Sequence, residues 1–195
     1  MLKIKSNPAS KPFKLIINSN MTNDKTNFFD LLGKFKEVTF FASIDGYGLT
    51  QEYIRYPSDW NQVSKNLTKL VDRQSENIMI RVAPVVQITN LNNIVDLFEF
   101  CEEFNRKAGK NVVDIFLVNL EFPKYLKITN LPVEYKKQCW ERIENWVKTK
   151  CIYQKPLFHE QFFCRPHRLQ SLDRDSLEWR QRRQRHDCAH GRSLF

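Results

Sequence analysis

Strand-like apolar runs that alternate with helix-period segments predict an α/β fold built on a parallel sheet. Three features of the 195-residue chain carry that expectation. Four short apolar runs occur at Phe13 to Asn18, Glu37 to Ile44, Asn77 to Val86 and Val112 to Leu120. Between them the apolar residues recur at three- and four-residue spacing, and a polar, turn-prone stretch follows each run. Strands separated by helices of this length pair in parallel, because the crossover returns the chain to the same end of the sheet.

The first strand, FKLIIN, is apolar and β-branched and runs into the turn-prone SNMTND. A helix is expected from Lys25 to Lys36, where Phe28, Phe29, Leu31, Leu32 and Phe35 share one face, with Gly33 weakening it. The second strand carries Val38, Phe40, Phe41 and Ile44 and ends in the polar turn Asp45-Gly46-Tyr47-Gly48. A helix beginning at Ser58-Asp59-Trp60, with Ser58 as its expected N-cap, presents Trp60, Val63, Leu67 and Leu70 as a stripe. The third strand (NIMIRVAPVV) leads into a helix over Asn92 to Lys107, with Ile94, Leu97, Phe98 and Cys101 inward. After the fourth strand, Pro132 to Lys150 forms a further helix, with Pro132 in its first turn.

The composition, 42% hydrophobic and 27% charged, fits about one globular domain. No apolar run reaches the roughly 20 residues that a membrane-spanning helix needs, and the N-terminus lacks a signal-peptide core, so a cytoplasmic location is expected. Five cysteines, widely spaced and without a CxxC pair, are expected to be reduced thiols. The net charge of +9 raises nucleic-acid binding as a reading. Its distribution argues against that for the body. All eighteen lysines lie at or before Lys155, whereas eight of the thirteen arginines lie in residues 165–195. The body's remaining charge is interspersed with acids, as on a solubilising surface.

In a parallel α/β sheet, ligands meet the C-terminal ends of the strands, where the βα loops gather. Here these are Asn18 to Asn20, Ser43 to Gly48, Gln87 to Asn90 and Asn119 to Lys127, all rich in polar side chains. Two of them, Asn18-Ser19-Asn20 and Ser43-Ile44-Asp45-Gly46, resemble the TNG-like and SIDG-like motifs that end the third and fourth barrel strands of radical S-adenosylmethionine enzymes. The run Glu52 to Ser58, then Trp60 and Val63, with Asn90, Leu131-Pro132 and Lys136, is similar to the subset that carries a twitch extension.

The resemblance covers roughly Leu15 to Val147 and implies a partial parallel βα barrel of four βα units, an open half-barrel, over residues 13–150. It implies Asn20 and Ser43 as cofactor-binding, with Ser43 near the ribose, and Asp45, Gln87 and Asn90 as substrate-facing. Each has a structural alternative. Asp45-Gly46 serves equally as a plain turn, Asn18 to Asn20 as a helix-leading loop and Asn90 as a cap. Complete relatives hold S-adenosylmethionine and a [4Fe-4S] cluster on a CxxxCxxC loop, which supplies the electron for sulfonium cleavage. No such spacing occurs here, so the expectation is a truncated fragment, inactive alone, that binds neither group by itself and has no catalytic residue of its own. The missing N-terminal half or another chain is the expected partner, covering open strand edges. The runner-up is a non-catalytic subunit completed by such a partner, and a basic nucleic-acid-binding protein ranks third.

Residues 1–12 read as an extension and 151–195 as an irregular, poorly ordered Arg-rich tail, with the abrupt loss of lysine suggesting a changed frame. Cys151, His159, Cys164, His167, His186, Cys188 and His190 fall within this stretch. Their spacing lacks the paired geometry of a zinc knuckle, and no metal site is expected.

Overall fold

The computed structural model describes residues 14–23 and 26–153. Four strands, β1 (Lys14–Ser19), β2 (Glu37–Ala42), β3 (Ile78–Val82) and β5 (Val113–Ile115), form one parallel sheet in that order. Two short strands, β4 (Val85–Val86) and β6 (Val118–Asn119), make a second parallel pair. The α/β class is as the alternating pattern implies, and the partial βα barrel is as the resemblance implies. The helices are α1 (Thr26–Leu32), α2 (Leu49–Ile54), α3 (Trp60–Asp72), α4 (Ile94–Ala108) and α5 (Val133–Thr149), with 3-10 turns at Lys124–Leu126 and Ile128–Asn130 before α5.

Side chains of a strand alternate between the two faces, and the register makes this alternation coherent across the sheet. Val38, Phe40 and Ala42 align with Ile78, Ile80 and Val82, and these with Val113 and Ile115, all buried on the face that the helices cover. Phe29 of α1 meets Phe40 edge-on at 6.0 Å, and Val63, Leu67 and Leu70 of α3 join the same core with Ile94, Leu97, Phe98 and Cys101 of α4. Each such side chain contributes about 1.5–3 kcal/mol on burial. The other face carries Ile16, Thr39, Phe41, Met79 and Arg81, none of them buried, and Ile16 is 67% exposed.

The third and fourth apolar runs are each broken into two strands. Pro84 has no N–H to give, so the ladder lapses at Ala83-Pro84 and resumes one step outward, with Val118 N–H donating to the Pro84 carbonyl at 3.0 Å. Phe116 N–H donates to Val82 at 2.8 Å, which carries the bend into the partner run. Helix α1 stops at Leu32, short of the expected Lys36, immediately before Gly33. The N-cap of α3 is Asp59 rather than Ser58: the Asp59 carboxylate accepts from Asn61 N–H at 2.7 Å. Helix α2 follows the expected Asp45-to-Gly48 turn, over residues for which the sequence suggested no element. The N-terminal extension, the expected disorder and frame change of the Arg-rich tail, and its Cys/His cluster beyond Cys151 lie outside the described residues.

Candidate ligand site at the strand ends

The loops after β1 and β2 sit side by side because their strands are neighbours in register, Ser19 opposite Ala42. The pairing continues one step further, Ser43 N–H donating to the Ser19 carbonyl at 2.8 Å. Ser43 is half-buried and, two residues beyond Phe41, continues the open face. Asn20 is exposed, and its Oδ1 accepts from the Thr22 N–H at 3.3 Å and the Thr22 hydroxyl at 2.9 Å. That closes a turn in which Met21 takes the left-handed conformation at φ 61°. Buried Asn66 of α3 pins this loop from below, its Nδ2 donating to the carbonyls of Met21 (2.7 Å) and Asn23 (2.9 Å). The structure thus brings Asn20 and Ser43 to adjacent loops at one end of the sheet.

Asp45, Gln87 and Asn90 also converge, but as a buried hydrogen-bonded knot. Asp45 is 3% exposed. Its Oδ1 accepts from Val85 N–H at 2.8 Å, and its Oδ2 pairs with Arg55 Nε at 2.6 Å. The Asn90 amide donates to the carbonyls of Asp45 (2.7 Å) and Val85 (2.8 Å), while its oxygen accepts from Gln87 N–H at 2.9 Å. The knot ties the end of β2 to the β3–β4 break and to the entry of α4. Burying a carboxylate is costly unless it is paired and hydrogen-bonded, and both conditions are met here.

Gln51 and Arg55, on and just after α2, complete this arrangement; Gln51 carried no signal in the sequence, and Arg55 was noted only as part of the Glu52-to-Ser58 run. Gln51 is fully buried, its Oε1 accepting from the N–H groups of Asp45 (2.7 Å) and Gly46 (3.3 Å). Gln51 Nε2 finds no partner among the described residues. Only glycine fits at position 46, since a Cβ there would lie 2.6 Å from Thr50 Cγ2. Gly48, at φ 59°, then starts α2. Glu52 in turn accepts from Trp60 N–H at 2.8 Å, so the Glu52-to-Trp60 run fixes the start of α3.

Below the rim, one rung of the open face reads Asn18, Phe41, Arg81, Asp114 across the four strands. The Arg81 guanidinium lies 5.9 Å from the centres of both the Phe41 and the Phe116 rings, and those rings meet edge-on at 6.0 Å. Arg81 Nε is 3.7 Å from Asp114 Oδ2, and Asp114 Oδ1 accepts from the Asn111 amide. A broad hollow lined by Lys36, Glu37, Gln74, Asn77 and Lys110 opens at the N-terminal end of the strands and reaches Thr39, Met79 and Asp114 on the open face. It lies away from every motif-bearing loop, where parallel sheets do structural work.

The described cysteines do not fit an iron-sulfur cluster. Cys101 and Cys139 are buried on α4 and α5, and Cys151 is buried beyond α5. Burial pushes the Cys101 thiol far above its ordinary value, reinforced by the charge of Glu102. Burial also raises Cys139, against the opposing hydrogen bond to Tyr135 and the charge of Arg142. Thiols held protonated are poor ligands. Among the described residues no three His, Cys, Asp or Glu side chains gather as a metal site, and no helix is long and apolar enough to cross a membrane.

The fold is similar to that of SuiB from Streptococcus suis, with a TM-score of 0.51 and 15% sequence identity over 71% of this chain and 31% of the SuiB chain. A second SuiB structure, bound to S-adenosylmethionine, aligns at a TM-score of 0.47 and 16% identity over 69% of this chain and 30% of that one. At such identities the likeness shows a shared fold, and the chain spans about a third of SuiB. No protein-family model and no curated protein matches this chain.

Proposed function

We propose that this chain is the C-terminal part of a radical S-adenosylmethionine-type βα barrel, and that, against the expectation that it binds no cofactor alone, its rim binds the nucleoside portion of S-adenosylmethionine through Ser43 and Asn20. The observation that carries this reading is the placement of the two motif-bearing loops. Asn18-Ser19-Asn20 and Ser43-Ile44-Asp45-Gly46 end neighbouring parallel strands, and Ser43 N–H to Ser19 binds them together at 2.8 Å. Parallel sheets present their ligands to that end. The half-buried Ser43 hydroxyl suits a ribose, being both donor and acceptor. SuiB, whose fold this chain shares in part, binds S-adenosylmethionine. The Glu52-to-Trp60 run and Leu131-Pro132 support the twitch-bearing subset as the finer assignment.

Asp45 and Asn90 support the site from behind in this reading. Their polar atoms hold the β2 and β4 ends in place, and they set where Ser43 points. Since the described thiols do not fit a cluster, the described residues supply a binding surface, and electron delivery belongs to residues outside them. A second reading, a subunit completed by a partner chain, is favoured by the β1 edge, where Ile16 is 67% exposed and the outer strand has no neighbour among the described residues. Calorimetric titration of the full chain with S-adenosylmethionine tests the first reading. Binding that falls about tenfold in Ser43→Ala, the loss expected for one hydrogen bond of about 1.4 kcal/mol, supports it. Binding that is absent, or indifferent to Ser43→Ala, contradicts it.

A further inference from the structure

We propose that Arg81 and Asp114, on the open face of the sheet, form a subsite for the charged head group of a free α-amino acid, with Phe41 and Phe116 as its apolar walls. Arg81 is a half-buried cation, its side chain 30% exposed, yet among the described residues its nearest carboxylate oxygen is 3.7 Å from Nε, beyond hydrogen-bond distance. Every other described arginine, at 55, 73, 106 and 142, makes at least one hydrogen bond of 3.0 Å or less. A guanidinium is a planar fork of five donors suited to a carboxylate. Two rings, each 5.9 Å away, hold that fork on the open face without satisfying its donors.

Asp114 decides which anion fits. Its side chain is 15% exposed and its Oδ2 lies beside Arg81, so a phosphate dianion seated on the fork would meet a second negative charge. A zwitterion does not: its carboxylate takes Arg81 and its ammonium takes Asp114, each as a charge-assisted hydrogen bond. The sequence contains the alternation that turns Arg81 away from the core, Ile78, Ile80 and Val82 being the buried partners of the run. This subsite is separate from the nucleoside reading at Ser43, and its test uses no nucleoside, so either can fail alone.

The test is titration of the full chain with L-phenylalanine, with 3-phenylpropionate, which lacks the ammonium, with phenethylamine, which lacks the carboxylate, and with inorganic phosphate. L-Phenylalanine is expected to bind, and both analogues to bind about tenfold weaker or less. Arg81→Gln and Asp114→Asn should each weaken binding about tenfold, with an unchanged circular dichroism spectrum. The analogue series on the unsubstituted chain keeps the inference falsifiable even if a variant unfolds. Equal binding of 3-phenylpropionate and L-phenylalanine, preference for phosphate, or no binding of L-phenylalanine each overturns it.

Discussion

The two faces of the four-stranded sheet are made by the same strands and differ in everything that alternation can change. The helix-covered face is apolar at its centre, with Val38, Phe40, Ala42, Ile78, Ile80, Val82, Val113 and Ile115 all under 4% exposed. The open face mixes Ile16, Asn18, Thr39, Phe41, Met79, Arg81 and Asp114, and none of these is buried. One face holds the fold together. The other keeps polar and charged groups at least partly open to solvent.

The largest expected effect contrasts neighbours in β2. Phe40→Ala removes a fully buried ring and should cost about 3–5 kcal/mol in urea unfolding of the full chain, whereas Phe41→Ala, one residue on and facing outward, should cost less than about 1.5 kcal/mol. Equal losses would erase the distinction between the faces. Next in size is Asp45→Asn, which removes the charge from a carboxylate bonded to Arg55 and Val85 at the top of the sheet. A loss of about 2 kcal/mol is expected, charged hydrogen bonds being worth about 1.5–3 kcal/mol. Loss of stability with the nucleoside affinity per folded molecule retained would mark Asp45 as a support rather than a ligand.

On the helix layer, buried Glu102 accepts from the N–H groups of Ile152 (2.7 Å) and Tyr153 (3.0 Å), so it fixes the chain after α5. Glu102→Gln should cost about 1 kcal/mol and speed amide exchange at those two residues while leaving the open face unchanged.

The smallest effect is a pH dependence. Burial pushes the Glu99 carboxyl up, but hydrogen bonds from Trp146 and Arg106, with the charges of Arg106 and Lys150, outweigh it and hold the group below its ordinary 4.5. A lowered folded value means that its contribution is complete above that ordinary value and disappears as pH falls through the folded one. Stability measured from pH 7 down to pH 3 should therefore lose a component of under about 1 kcal/mol that Glu99→Gln lacks.

Much of the fold was legible because its signals are local. Apolar runs ending in turn-prone stretches placed the strands, and the stripe of Val63, Leu67 and Leu70 placed α3. Pro84 marked the third-run break in plain sight, since a proline cannot sit inside a ladder that needs its N–H. The break in the fourth run had no such mark, because it follows from pairing with the bent partner. Helix α2 is six residues long, too short for a helical period to show. The positions of Asn20 and Ser43 followed from the rule that loops gather at the C-terminal strand ends. What Asp45 and Asn90 do there did not, because Val85 and Arg55 become their partners only through the tertiary fold. Arg81 was visible as an outward position in NIMIRV, but its neighbours Asp114 and Phe116 depend on register across β3 and β5.

The most direct test of the open face as the ligand face is amide chemical-shift mapping of the full chain with S-adenosylmethionine. Shifts confined to 18–20, 41–48 and 81–87 are predicted. Shifts concentrated instead on the outer surfaces of α3 to α5, or around Lys36, Asn77 and Lys110 at the other end of the strands, would contradict it.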